Sequence, residues 1–248
     1  MKAAEIEIRE ERLAEEILRP LQPLLDRGPE PRYHALEASH PLIRRETFAE
    51  NRYWPDGRIE TAEVEADIWS DAIQAALDAV RHVEIPYLEK PIYLDRPILM
   101  KSGCSLRVHP RTELRLKPGT NTCMIRNEGM LADVPDRGIR IEGGIWSTAA
   151  GGRRYGNGNV RGHADAEQSV PGLHGVVCIF NAERVAIRDM TIKDSSYFGI
   201  HIAKTTCFVV ERIRFVDHHR DGVHVNGPAA YGLIREIGGQ TGDDIVAL

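Results

Sequence analysis

The feature that most restricts what this chain can fold into is an internal repeat in its last third. Gly175-Val-Val-Cys-Ile, Gly199-Ile-His-Ile, Gly222-Val-His-Val and Asp244-Ile-Val-Ala align at intervals of 24, 23 and 22 residues. A second apolar series runs in step: Val185-Ala-Ile187 with Met190 and Ile192, Phe208-Val-Val210 with Ile213 and Phe215, and Leu233-Ile234 with Ile237. Repeats of this length are supersecondary units that bury their apolar faces only by stacking on one another. The units lack the Leu-x-x-Leu-x-Leu pattern of a leucine-rich repeat and hold no helix-length segment, so the period predicts an all-β chain coiled as a parallel β-helix. In that frame Ile200, Ile202, Val223 and Val225 point into the coil, and His201 and His224 form an exposed ladder on the outside.

Upstream, short apolar runs closed by Pro, Gly or charged pairs (VEIPYL, PIYL, PILM, SLRVHP and ELRLKP) read as further strands. Before them, Asp67 precedes Ile68, Ile73, Ala76, Leu77 and Val80, which predicts a capped amphipathic helix over 67–81. Such a helix would cover the open strand edges at the start of the coil. Residues 5–26 predict another amphipathic helix broken near Pro20, and 28–65, rich in proline and charge, predict irregular or partly extended structure. The expected organisation is a helical and irregular extension over 1–66 and a coil over 67–248, ending in mid-strand at Leu248 with its C-terminal end uncapped.

Composition narrows the function. A net charge of −5 over 248 residues gives no electrostatic reason to bind nucleic acid or anionic lipid. No apolar run has the length of a membrane span, and the charged opening lacks the apolar core of a secretory signal, so the expectation is a cytoplasmic chain with no membrane partner. Cys104, Cys123, Cys178 and Cys207 lack the close spacing of a zinc or redox motif and read as reduced, mostly buried thiols. No residue is assigned to a metal or a cofactor.

The residues that start each repeat carry the chemistry. Asp221 and Asp243 fall one residue ahead of successive aligned strands, and Asp244 takes the position that glycine holds elsewhere, so three carboxylates are expected on one patch. Crowded carboxylates raise one another's pKa, which supplies the acid and base of inverting glycoside hydrolysis. The same oxygens suit calcium. His219 and Arg220 adjoin Asp221, and His224 is near enough to reach a bound sugar. Tyr197 and Phe198 read either as a stacking platform or as packing, His218 as a polar turn, and the glycine-rich 147–172 segment as a projecting loop.

His219-Arg220-Asp221-Gly222, followed by Gly242-Asp243-Asp244 and small apolar residues, resembles the first two active-site motifs of glycoside hydrolase family 28, the polygalacturonase family. The family writes them Asn-Thr-Asp-Gly and Gly-Asp-Asp, so His219-Arg220 departs from the first motif. The resemblance implies a right-handed, single-stranded, pectin-lyase-like parallel β-helix acting on a polysaccharide or oligosaccharide. Asp243 would be the general acid, Asp221 and Asp244 would activate water, and His219, Arg220 and His224 would contact substrate. The family's later Gly-His-Gly and Arg-x-Lys motifs would lie beyond residue 248, which makes the expected site incomplete. Two other classes remain open on the residues: a β-helix that binds carbohydrate without cleaving it, and a calcium-dependent polysaccharide lyase with Arg220 as base.

Overall fold

Alternating aliphatic positions, too short for helices and each closed by a turn residue, leave the chain no way to bury its apolar side chains except by strand stacking. The computed structural model describes residues 12–26, 29–54, 56–120, 122–149, 175–195 and 197–248, and these are mostly β with one large, largely parallel sheet. Strands His82–Ile85 and Ile92–Leu94 both pair with Ser105–Leu116, which pairs with Asp136–Ser147. That strand bonds to Gly175–Arg188 and Thr191–Lys193, which in turn meet Phe198–His218, and the stack continues through Val223–Thr241 to Val246–Ala247.

The register is regular. Val177 faces Ile200 and Ile200 faces Val223, each 23 residues on, and Val223 faces Val246 at the same interval. Between Ala203 and Thr205 the pairing slips by one, so that Phe208 faces Gly232 and Ile213 faces Ile237. The sequence intervals of 24 and 22 at the two ends of the series are therefore corrected to 23. The reason is burial: Val246 packs against the core while Ile245 stays 37% exposed, and a one-residue slip would exchange them.

Long hydrogen-bonded runs are bent at left-handed corners. Asn181, Arg184, Asp189 and Asp194 have φ of 54, 60, 57 and 48°, and Lys204, Cys207, Arg212 and Asp217 repeat them 23 residues later at 47, 55, 54 and 49°. A side chain in this region costs about 1 kcal/mol, so matched corners on successive repeats mean that stacking dictates the backbone. The inward residues, among them Ile179, Ile187, Ile192, Ile200, Ile202, Val210 and Phe215, form one continuous core with Leu77, Leu94, Leu106 and Trp146.

The helix expected over 67–81 is observed at Ser70–Val80, with Ile73 and Leu77 buried. Its N-cap is Trp69, without a side-chain cap bond, and not Asp67, which lies in a strand and pairs with Arg45 at 2.9 Å. Within 28–65, expected to be irregular or partly extended, the extended part is a regular hairpin. Arg44–Tyr53 and Ile59–Ile68 form an antiparallel hairpin whose second strand joins the sheet at Ile68–Tyr93. Ahead of it, residues 12–18 are helical, and Pro20 and Pro23 fall in the first turns of Arg19–Leu21 and Gln22–Leu25, where no N–H is missed.

That N-terminal segment is latched by a charge ladder. Glu142, Arg188, Glu211 and Arg235 stand opposite one another on successive strands. Arg188 Nε lies 2.6 Å from Glu211, Arg235 Nη2 lies 2.6 Å from its other oxygen, and Arg188 Nη2 donates to the Leu24 carbonyl at 2.8 Å. Burial would raise the Glu211 carboxyl, but hydrogen bonds from Arg235 and Arg188 outweigh it and hold the group down at about 2. Beside the ladder, Leu21 and Leu24 pack on Ala186 and Val209.

Three of the cysteines are buried, Cys207 is half-buried, and all four are free thiols. Most of the glycine-rich loop expected over 147–172 lies outside the described residues. Among the described residues no helix is long and apolar enough to cross a membrane.

Candidate active site

Aspartates enter at the start of two neighbouring strands because a turn must precede each inward Val or Ile. Gly199 N donates to Asp221 O at 3.0 Å, and Gly222 N donates to Asp244 O at 2.8 Å. With Val223 facing Val246, the column runs Phe198, Asp221, Asp244. Asp221 is thus the register partner of Asp244 and not of Asp243, as the shortened sequence interval had suggested. Asp243 instead shares a level with Arg220, whose Nη1 lies 3.4 Å from its Oδ2.

Glycines make this edge possible. A Cβ on Gly199 would sit 2.3 Å from Phe215 Cε1, and one on Gly222 would sit 2.6 Å from Phe215 Cε2 and from Ile245 O. Any larger residue would push the strand starts apart, so both Gly positions next to the acidic column are set by close approach to one ring.

Asp221 is buried, its side chain only 7% exposed, and it is held by His224, whose Nδ1 lies 2.6 Å from Oδ2. A chain of polar groups continues from there: His224 Nε2 to Asn226 Oδ1 at 3.0 Å, and Asn226 Nδ2 to His201 Nε2 at 2.9 Å. Phe198 stacks on His224 at 4.0 Å with an interplanar angle of 11°, and His201 packs edge-on against Phe180 and Phe198. His201 is therefore buried, which corrects the exposed ladder expected of it, while His224 keeps an open edge. Tyr197 and Phe198 are buried as well, so Phe198 packs under the histidine and offers no bare platform to a sugar.

Arg220 lies over the Phe198 ring, 5.4 Å from its centroid, and reaches Asp243, so its cation faces the same edge as the acids. Asp243 and Asp244 are exposed. His219 is half-buried, and its Nε2 has no hydrogen-bond partner among the described residues; its backbone N–H donates to Ser195 O at 2.9 Å. His218, expected in a polar turn, is buried, and its Nε2–H donates to the Asp221 carbonyl at 2.8 Å. Desolvation drives the His218 ring down to about 4 against the opposing backbone bond, so it is a neutral brace for the Asp221 backbone.

The sequence reading named Asp221, Asp243, Asp244, His219, Arg220 and His224, and the structure joins Asp221 to His224 and Arg220 to Asp243. It missed Asn226, although Asn226 follows His224 by two positions on the same face of a strand, the spacing that brings side chains side by side. Among the described residues no three His, Cys, Asp or Glu side chains are grouped so as to hold a metal ion. The arrangement provides one sheltered carboxylate with a fixed hydrogen-bond partner, two open carboxylates on the next strand start, and one adjacent guanidinium.

No family model matches this chain, and no curated protein matches it. Among solved structures it is similar to PfbA, a surface adhesin of Streptococcus pneumoniae, at 20% identity and a TM-score of 0.46. That similarity covers 69% of this chain, which spans 43% of the adhesin.

Proposed function

We propose that this chain is a right-handed parallel β-helix bearing a polysaccharide-directed glycoside hydrolase site of the polygalacturonase type. The observation that carries the reading is the placement of Asp221 and Asp244 in register on neighbouring strands, with Asp243 beside Arg220 at the same edge. The parallel pairing of successive strands and the recurring left-handed corners support the coiled fold. Adjacent parallel strands are about 4.8 Å apart, so the column brings two carboxylates to one surface.

In this reading Asp243 protonates the leaving oxygen, and Asp221 and Asp244 draw a proton from the attacking water on the opposite side of the sugar. His224 fixes the Asp221 carboxylate so that its second oxygen keeps one direction. Arg220 offers its charge to a substrate carboxylate, which favours a uronate over a neutral sugar. Purified protein should release reducing ends from polygalacturonate with inverted anomeric configuration seen by NMR and no new ultraviolet absorbance, and Asp243→Asn should abolish release. An Asp243→Asn variant that retains turnover overturns the assignment.

The depth of Asp221, 5% exposed, favours a second reading in which the edge binds sugar without cleaving it. Saturable binding of oligogalacturonate by a parent protein with no turnover would select that reading.

A further inference from the structure

A second candidate site lies away from the acidic edge. The hairpin strand Arg44–Tyr53 leans over the sheet and leaves a groove of about 640 Å³ between residues 50–54 on one side and Arg115, Asp194 and Asp217 on the other. That volume falls within the range of ordinary ligand pockets. None of its lining residues belongs to the Asp221 edge.

Its walls are of three kinds. The first is aromatic: Tyr53 and Trp54 border the groove, and Trp54 is 42% exposed. The indole is nevertheless fixed, because Trp54 N donates to Arg58 O at 2.9 Å across the hairpin turn and the Arg58 guanidinium lies 4.9 Å from the ring centroid. The second is a neutralised floor. Glu50, 5% exposed, receives the Tyr93 hydroxyl at 3.1 Å and Arg115 Nη1 at 3.3 Å, and Arg115 is also bonded to Glu113 at 2.6 Å.

The third wall is a pair of open carboxylates. Asp194 and Asp217 occupy equivalent left-handed corners 23 residues apart, with φ of 48 and 49°. Among the described residues no hydrogen bond or ion pair reaches either carboxylate. Asp194 is half-buried, and burial holds its carboxyl above the usual carboxylate range, with Lys193 opposing and Asp217 adding to the effect. Neither carboxylate is tied to a protein donor among the described residues, so both keep acceptor lone pairs for a ligand's hydroxyls in the groove they line.

We infer that this groove binds a neutral oligosaccharide, whose ring face stacks on Trp54 and Tyr53 and whose hydroxyls donate to Asp194 and Asp217. Apolar sugar faces match an indole wall, and hydroxyl donors satisfy a carboxylate without bringing in a charge. A uronate is disfavoured here because Asp194 and Asp217 would both repel it, Arg115 is already committed to Glu50 and Glu113, and the exposed Arg52 is the one other cation in the described lining.

The test uses the full chain. Of its tryptophans, Trp69 and Trp146 are buried at 1% and 0% exposure, so a change at the red edge of the emission spectrum reports Trp54. Titration with neutral hexasaccharides of β-1,4-glucan, xylan and mannan should give a saturable blue shift for at least one of them, with hexagalacturonate as the charged control. Trp54→Ala should remove the shift and weaken binding by calorimetry about tenfold or more. Asp194→Asn and Asp217→Asn keep a residue that tolerates the left-handed corner, and each should weaken it severalfold.

Calorimetric binding unchanged in folded Trp54→Ala and Asp194→Asn proteins overturns the inference, as does the absence of any neutral ligand. Hexagalacturonate binding that Trp54→Ala removes overturns the choice of a neutral sugar. Asp243→Asn separates this inference from the proposed hydrolase, because that variant should stop turnover and leave the Trp54 titration unchanged.

Discussion

His224 Nδ1 lies 2.6 Å from Asp221 Oδ2, and the Phe198 ring stacked on the imidazole leaves the histidine little freedom to turn away. The buried carboxylate therefore has one fixed partner. His224→Ala should destabilise the fold by about 1–3 kcal/mol, because it leaves Asp221 buried and unpaired, and Asp221→Asn in the same background should recover part of that loss. Denaturant unfolding of the four proteins measures the coupling; additive losses would mean that the contact carries no stability.

Acid should weaken the protein in two steps. His218 has a folded pKa of about 4, below the usual histidine value near 6.5, so the unfolded chain takes up a proton first and stability falls from about pH 6.5 down to about 4. Glu211 has a folded pKa of about 2 against 4.5 for the free group, so its contribution is complete above about pH 4.5 and is lost as pH falls towards 2. Each amounts to about 3 kcal/mol at full extent. Unfolding free energies measured from pH 7 to 3 should show the upper step vanish in His218→Asn and the lower one in Glu211→Gln.

Arg188 joins the charge ladder to the Leu24 carbonyl, so its removal should act at a distance in sequence. Arg188→Ala should cost about 1–3 kcal/mol, because the Leu24 carbonyl loses its donor while Glu211 keeps Arg212 and Arg235, and should raise amide exchange across residues 21–25 more than in the 200–216 strands. Equal exchange in both regions would argue against a latch.

Gly199→Ala and Gly222→Ala should each destabilise by about 1–3 kcal/mol through overpacking against Phe215. Phe215→Leu should be less costly in the Gly199→Ala background than in the parent. Thermal melts of the single and double variants test this; no rescue would place the strain in the Gly222 carbonyl, 2.6 Å from the added methyl, rather than in the ring.

The repeat period was legible because Ile, Val and Phe must recur wherever the chain passes the core, as Ile192 and Phe215 do. Register was not, because Gly-x-apolar and Asp-x-apolar starts look alike and only the burial of Val246 over Ile245 separates them. The hairpin was hidden by its charge. Yet Ala62, Val64, Ala66 and Ile68 alternate strictly, and Asp56-Gly57 supplies the turn, so period should have outweighed composition. The acidic residues of the edge could be named from sequence, whereas their partners could not. Asp221 with His224, and Arg220 with Asp243, depend on which side chains the corners turn towards each other. The groove at Trp54 had no local signature, since its walls come from separate segments spread between residues 50 and 217.

Phe215 lies beneath Gly199 and Gly222 and also packs on the His218 ring at 5.0 Å, so a single benzene ring acts as the spacer block for the strand starts on either side of Asp221. The charged groups at that edge take their separation from a hydrocarbon contact and not from one another. Their repulsion can then be varied by substitution while the distance between them stays set from below.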